Sequence, residues 1–400
     1  MANLNAWQKI TRVLSGKPFG DGADGAYSSA TIPTMKYKTC SGTATSTTLT
    51  ADTDASPFSV GDVLLLHQTR GTGVGQWEIN RVSSVGSDQY TLQEALQYTY
   101  TDSGASQAQA VVIPRYTNVT VQAGTWTLTS WNEDIGGILT FAANGTVTCT
   151  GTIAGSGIAG ADGANPGAYP QAGVGGAGRG FRGGNGYSVN GSTTAWNGEG
   201  TVAARSQSTS ANGNGGGGAY SNTTNHNNGG GGGNGVAGSA AQNSDSGTNP
   251  SGGSTAGAAD LITMVFGGGG GGGSGCLDGS PGGGGGGGGM VFISAKAITI
   301  AGAITETGGA GANGNGSCGG GGGGGSVLIQ AGTATLGSNL ITAVGGDGGG
   351  TARGGDGGAG RIAVHHSGAV TGTTNPTFDD TTDSSLVEAV VGGAFLFNMV

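Results

Sequence analysis

Hydrophobic and polar positions alternate with two different periods along this chain. Between residues 3 and 15, Leu4, Trp7, Ile10 and Leu14 recur at helical spacing, Lys9 and Arg12 lie off that stripe, and Gly16 follows as a stop. The spacing predicts one short helix. A helix of this length is marginal alone, so it needs a surface to pack on: its own body, a symmetry mate or a larger assembly. Residues 17–30 (KPFGDGADGAYSSA) carry turn chemistry. From residue 31 to 115 the period becomes that of strands. Val63 to Gln68, preceded by the Gly61-Asp62 turn, reads as a buried strand. Trp77 to Val82 alternates, Tyr90 to Gln93 follows a turn, and Val111 to Pro114 closes the segment. Short strands at this spacing predict a small β barrel or sandwich. From Tyr116 the strands thin to Val119–Gln122, Trp126–Thr129, Ile138–Phe141 and Val147–Thr150, with Thr on the exposed side. This suits a stacked, β-solenoid-like layer.

An internal repeat follows. Gly282–Gly289 leads into Met290-Val-Phe-Ile, Gly319–Gly325 into Ser326-Val-Leu-Ile, and Gly354 to Gly360 into Arg361-Ile-Ala-Val. Val327 lies 36 residues after Val291, and Ile362 lies 35 after Val327. Gly137-Ile-Leu-Thr-Phe is an earlier copy of the same strand. Each unit reads as a glycine run, an alternating apolar β-arch and a glycine-rich turn, the signature of a repeat architecture. The organisation predicted is an N-terminal helix and turn segment over 1–30, a β domain over 31–115 and a β-arch layer over 116–160. A glycine-rich repeat domain over 161–370 carries a loop insertion at about 161–260, and an apolar C-terminal docking segment covers 371–400.

Composition decides what the glycine runs can be. Glycine supplies 94 of 400 residues, charged residues are 9% and the net charge is -9. Collagen needs glycine at every third position, which is not the register here. Helical bundles tolerate interior glycine poorly. A nucleic-acid binder normally shows a basic stripe, and this chain is acidic. Glycine tracts usually mean flexible linkers. Here, however, they recur once per strand unit and feed straight into apolar strands, a phase a slack tether does not need. The alternative is a sandwich of polyglycine-II (polyproline-II-type) segments, three residues per turn, in which runs lacking Cβ atoms approach closely and hydrogen-bond to one another. The expected fold class is therefore mostly β: a small N-terminal β domain, then β-solenoid-like arches with a polyglycine-II sandwich.

Candidate chemistry is sparse. His365 and His366 are adjacent, so on a strand they point to opposite faces and do not readily share one ion within a chain. Asp347 and Asp356 sit in GGDGG turns and Asp21 and Asp24 in GDGADG. Without a dense acidic loop they read as turn-stabilising residues, not calcium ligands. Cys40, Cys149, Cys276 and Cys318 lie far apart with no metal spacing, and reduced thiols are expected. No nucleophile elbow or phosphate loop occurs, and Glu133-Asp134 is the one adjacent acidic pair of the central region. We expect no catalytic residue, no metal and no cofactor. The insertion sets Tyr169, Phe181, Tyr187, Trp196, Tyr220 and His226 amid Asn and Ser, a mixture suited to recognition, with plugging of the sandwich or packing between protomers as the competing and favoured reading. Arg179 and Arg182 read as packing or carbonyl-bonding residues.

The order of GDGADG (20–25), FSVGDVLLLHQTRG (58–71), VVIPRYTNVTVQAGTWTLTSWNEDIGGILTF (111–141), GTVTCTGTIAGSG (145–157), GRGFRGG (178–184) and the glycine-run–strand units resembles glycine-rich phage tail-fibre and adhesin proteins, and related bacterial surface proteins. The resemblance covers most of 17–366. It implies a virion or surface filament component, commonly a homotrimer, that contacts other virion proteins and a host glycan or outer-membrane protein through loops beyond the glycine sandwich, with no nucleic-acid partner. On that reading Trp7, Ile10 and Leu14 dock to the virion, and Leu386–Val400 is buried in an oligomer interface or sheet. The N-terminus shows no apolar h-region after a basic start, which favours synthesis in the host cytoplasm and display on the virion surface. The alternatives are a purely structural capsid-decoration, head-fibre or appendage subunit, and a polysaccharide depolymerase fibre.

Overall fold

The computed structural model describes residues 17–51, 58–163, 171–188, 192–221, 226–242, 249–275, 280–350 and 354–386. The fold is all-β, and the only helical element among these residues is one 3-10 turn at Ser384–Leu386. The predicted helix over 3–15 lies outside them.

The apolar run at Val63 becomes the Val63–Arg70 strand, buried along its whole length. It is central in an antiparallel six-stranded sheet ordered Tyr37–Thr39, Gln107–Val112, Val63–Arg70, Trp77–Val85, Gln89–Leu92, Thr48–Thr50. The sheet curls until its two ends meet, where Ser41 and Thr50 exchange backbone hydrogen bonds of 2.9 and 2.8 Å. Leu64 and Leu66 fill the interior of the curl with Leu49, Phe58, Tyr90 and Tyr100. Val63 and Leu65 point outward, into a second core. Both faces of the strand are covered, which is why its sequence is apolar without alternation.

That second core is shared with a twelve-stranded sheet in which every pairing is parallel. The repeat spacing is realised as register: Leu139 pairs with Val291, Val291 with Val327, and Val327 with Ile362. Two strands expected separately, Ile138–Phe141 and Val147–Thr150, run together as Ile138–Cys149, with an irregularity between Ala143 and Thr146. Alternate residues divide between two cores. Leu139, Phe141, Ile293, Ile329 and Val364 face an inner core that the sheet closes over with its short strands at Trp126, Ile153 and Ile304. Ile138, Met290, Phe292, Leu328 and Ala363 face outward onto Trp77, Ile79 and Val111 of the curled sheet. A one-residue slip would exchange the two sets, so the register is strongly specified.

Segments read as terminal belong to this sheet. Tyr27–Ser29 pairs with Val119–Val121, and Val370–Asn375 and Asp379–Thr382 add parallel strands at the other side. Divisions at 30 and 371 therefore do not separate structural layers.

Upstream of the strands the glycine runs form a third layer. They are buried and extended, and each residue bonds to a different neighbouring segment in a three-residue rotation. In Gly283–Gly289, Gly285 and Gly288 donate to Gly320 and Gly323, Gly284 and Gly287 to Gly184 and Phe181, and Gly283, Gly286 and Gly289 to Ala161, Ile158 and Gly155. The same run accepts from Gly267 and Gly270, from Gly309 and Ala312, and from Gly176 and Gly180. It thus has six neighbours, three as donor and three as acceptor. The neighbours include the insertion: Gly216 donates to Gly269 at 2.9 Å and Gly232 to Gly321 at 2.8 Å. Much of 161–260 is therefore part of the layer itself and not a loop appended to it.

No room is left for side chains. A Cβ on Gly285 would lie 1.9 Å from the carbonyl oxygen of Gly309, and on Gly287 1.9 Å from that of Gly267. These contacts are with backbone and cannot be relieved by rotating a neighbour. Gly285→Ala is expected to destabilise by about 1–3 kcal/mol or more, whereas Gly86→Ala, in an exposed turn where the nearest atom would be 3.5 Å away, is expected to change stability by about 0.5 kcal/mol or less. Denaturant unfolding of the two variants checks this.

Candidate functional site

The predicted recognition residues separate into two groups. Phe181 is fully buried and packs edge-on to Trp131 and Phe266, with ring centroids 6.5 and 5.5 Å apart. It is a core residue where the glycine layer meets the sheet, so the packing role holds and it is not available to a receptor. Tyr187, Trp196, Tyr220 and His226 gather at the opposite end of the same runs. The Tyr187 amide donates to the Gly273 carbonyl at 3.1 Å, Gly272 donates to Trp196 at 2.9 Å, and Thr194 pairs with Tyr220. Ser274 joins them: its hydroxyl donates to the Tyr187 carbonyl at 3.1 Å and lies 2.8 Å from that of Ser221, and its carbonyl accepts from Asn227 at 2.9 Å, next to His226. The Phe181 amide bonds to Gly267, so the two groups are separated by the length of the Gly267–Gly273 run, roughly 20 Å for extended glycine. Tyr220 is exposed, and Tyr187, Trp196 and His226 are half-buried. Tyr169, Trp7, Ile10 and Leu14 lie outside the described residues.

Sequence reasoning missed a buried polar seam that holds the curled sheet to the glycine layer. Arg70, at the end of its strand, ion-pairs with Glu199, and both side chains are buried. The Glu199 carboxylate also accepts from the Trp131 indole at 3.1 Å and the Arg182 amide at 3.2 Å. Burial pushes the Glu199 carboxyl upward, while Arg70 and the indole bond pull it back. Removing one partner of such a pair leaves a buried uncompensated charge, a loss of about 3–5 kcal/mol. Beside it, Glu133 accepts from Arg182 at 2.9 Å and Arg205 at 3.2 Å. The Arg182 side chain is thus ion-paired within the protein, and Arg179 donates to the Leu128 carbonyl at 3.4 Å. The Leu261–Phe266 segment continues the seam. Trp77 donates to the Leu261 carbonyl at 3.0 Å, the Ser326 hydroxyl to that of Val265 at 2.7 Å, and Asn214 to that of Phe266 at 2.9 Å. His67 donates from Nε2 to the Met264 carbonyl at 2.8 Å, and its Nδ1 faces the Thr69 hydroxyl at 2.9 Å. Because a carbonyl only accepts, the ring is the neutral Nε2–H tautomer. Burial holds its pKa down at about 4.

The remaining candidates are spread out. His365 bonds inward to the Asp260 carbonyl at 2.9 Å and His366 outward to Asp380 at 2.7 Å, on opposite faces. Asp21 pairs with the Arg115 guanidinium at 2.7 Å and Asp24 accepts from the Arg115 amide at 2.6 Å. Asp356 accepts from Gly348 at 2.8 Å. Among the described residues no group of three or more His, Cys, Asp or Glu side chains is placed to hold a metal ion. Cys40, Cys149 and Cys318 are buried thiols, and Cys276 lies outside the described residues. Glu306 is fully buried where the glycine layer meets the sheet. Burial holds its carboxyl well above the ordinary range, against the pull of the Gly289 amide, the Arg179 charge and the Gly155 amide. Among the described residues no helix is long and apolar enough to cross a membrane.

No protein-family model matches the chain, and no curated protein is similar to it.

His67 gives the seam a pH signature. Its folded pKa of about 4 lies below the ordinary 6.5. The stabilisation is therefore complete above pH 6.5 and is lost as pH falls toward 4, because the unfolded chain takes up a proton that the folded chain refuses. The loss approaches about 3 kcal/mol. Stability measured from pH 7 to 4 on the wild type and His67→Gln is expected to differ in slope over this window. The subtraction removes the buried carboxyls Glu199 and Glu306, whose raised pKa values tilt the curve the other way. Parallel curves would show that His67 does not carry the effect.

Proposed function

We propose that this chain is a structural, receptor-binding subunit of a phage virion, a tail fibre or tip adhesin that holds a host-surface glycan or outer-membrane protein non-covalently. The observation that carries this reading is the position of Tyr187, Trp196 and Tyr220 together at the end of the glycine layer remote from the sheet. A polyglycine-II sandwich is supported by the three-residue rotation of bonds and the six neighbours of Gly283–Gly289. A β-solenoid-like stem is supported by the parallel, in-register stacking of Leu139, Val291, Val327 and Ile362. Glycine runs with no side chains to rearrange are a stiff mount, and rigid aromatic groups on a stiff mount bind at low entropic cost. The partners in this reading are further copies of the chain, a trimer being favoured, and other virion proteins. Several copies engaging at once would multiply weak single contacts. The reading assigns no catalytic step.

Adsorption of the purified, fluorescently labelled chain to a panel of bacterial strains tests it. A bound strain is expected, with binding competed by unlabelled chain and reduced at least tenfold in a Trp196→Ala/Tyr220→Ala variant that keeps its thermal stability. Absence of adsorption to any strain that the parent particle infects would leave a purely structural subunit. Cleavage of host polysaccharide by the wild type would instead establish the depolymerase.

A further inference from the structure

The mouth of the curled N-terminal sheet holds a cleft of about 460 Å³ that none of the sequence candidates enters. Its walls are the Ser41–Thr50 turn and the Thr99–Ser103 segment, and its lining is almost entirely hydroxyl-bearing. The size is that of a small-ligand site. The walls are fixed by backbone bonds: Gly42 and Tyr100 exchange bonds of 3.0 and 2.8 Å, and Thr45 donates to Leu96 at 2.8 Å. Thr101 is held from behind by buried Gln68, whose amide accepts from its N–H at 2.8 Å and donates to its carbonyl at 3.0 Å. Asp102 is half-buried, and burial pushes its carboxyl upward against the pull of the Thr39 side chain.

We infer that this cleft binds a neutral mono- or disaccharide. Three observations converge on that class. First, its hydroxyls are supplied in excess of what the fold uses. Thr99 Oγ1 accepts from the Ala44 amide at 3.1 Å and Ser46 Oγ from the Thr48 amide at 3.0 Å, which leaves each O–H free to donate. The Ser41, Thr43 and Thr101 side chains lie in the same cleft, ready both to donate and to accept. A polyol is the ligand whose own hydroxyls match such a set. Second, the one charged side chain of the lining is Asp102. A carboxylate accepts strongly from sugar hydroxyls and repels carboxylate, sulfate or phosphate groups, so the ligand is neutral. A single carboxylate is also too few oxygens for a divalent cation. Third, the aromatic ring of the lining, Tyr100, is 1% exposed and belongs to the core, so no apolar floor invites a lipid or a hydrophobic peptide. Recognition is therefore by hydrogen bonds without ring stacking, and a dissociation constant near about 1 mM is expected for a single site. The cleft lies in the curled sheet, apart from the aromatic cluster at the far end of the glycine layer, so the two sites can succeed or fail separately.

Ligand-observed NMR on the full chain, with glucose, galactose, mannose, maltose and lactose as probes and glucuronate as the anionic control, tests this. At least one neutral sugar is expected to bind, with glucuronate at least tenfold weaker. Asp102→Asn and a Thr99→Val/Thr101→Val variant are expected to weaken binding tenfold or more with unchanged thermal unfolding. The Trp196→Ala/Tyr220→Ala variant is expected to bind sugar as the wild type does, whatever its adsorption to cells. No binding of any neutral sugar at tens of millimolar would overturn the assignment. So would binding untouched by the Asp102 and threonine changes, or binding lost on changing Trp196 and Tyr220.

Discussion

The architecture depends on one interaction: the backbone hydrogen bond between extended glycine segments that approach too closely for any Cβ. Ordering glycine costs about 0.5–1 kcal/mol per residue more than ordering alanine. That cost is tolerable only where it secures something a substituted chain cannot have. Here it secures six neighbours for one segment, with the amides of Gly283–Gly289 each paired and the same run accepting from three further segments. A buried backbone polar group left unpaired would be expensive, so the bonds and the absence of side chains enforce each other. The glycine runs themselves have no side chains to hold them, and their cohesion comes from backbone pairing plus anchorage at the strand end.

Anchorage is where ordinary protein chemistry resumes. The runs ending at Gly289, Gly325 and Gly360 pass into strands whose alternate residues are divided between two cores, so the positions of these runs are set by the register of Val291, Val327 and Ile362. Asn234 reinforces the junction, donating to the carbonyls of Gly324 and Gly325 at 2.8 and 3.1 Å. The curled N-terminal sheet is then fastened by charge and polarity: Arg70 on Glu199, His67 on Met264 and Trp77 on Leu261. The stiff layer presents Tyr187, Trp196 and Tyr220 at one end, and the curled sheet opens its hydroxyl cleft elsewhere, so the chain offers two chemically different surfaces on one mount.

Some of this was legible in the sequence. The spacings of 36 and 35 residues that relate Val291, Val327 and Ile362 became parallel register, because a strand buried on both faces leaves an uninterrupted apolar signature. The continuous run at Val63 announced its burial for the same reason. The glycine runs of 215–218 and 229–233 misled: embedded in Asn- and Ser-rich sequence they resembled loops, and only their partners at Gly269, Gly271 and Gly321 reveal them as part of the layer. Phe181 carries the same local composition as Tyr187, and its burial is decided by Trp131 and Phe266, distant in sequence. The Arg70–Glu199 pair spans 129 residues, a separation at which periodicity carries no signal. The hydroxyl cleft was invisible too, because serine and threonine in turns read as turn chemistry until two turns are brought face to face.

Amide hydrogen exchange on the native chain, resolved over Gly282–Gly289 and Gly319–Gly325, tests the central claim most directly. The account predicts protection comparable with the Met290–Ile300 and Ser326–Thr342 strands, since each amide must lose a buried partner to exchange. Exchange of those glycines at the rate of an open chain, while the strands stay protected, would show that the runs are slack connections and would contradict it.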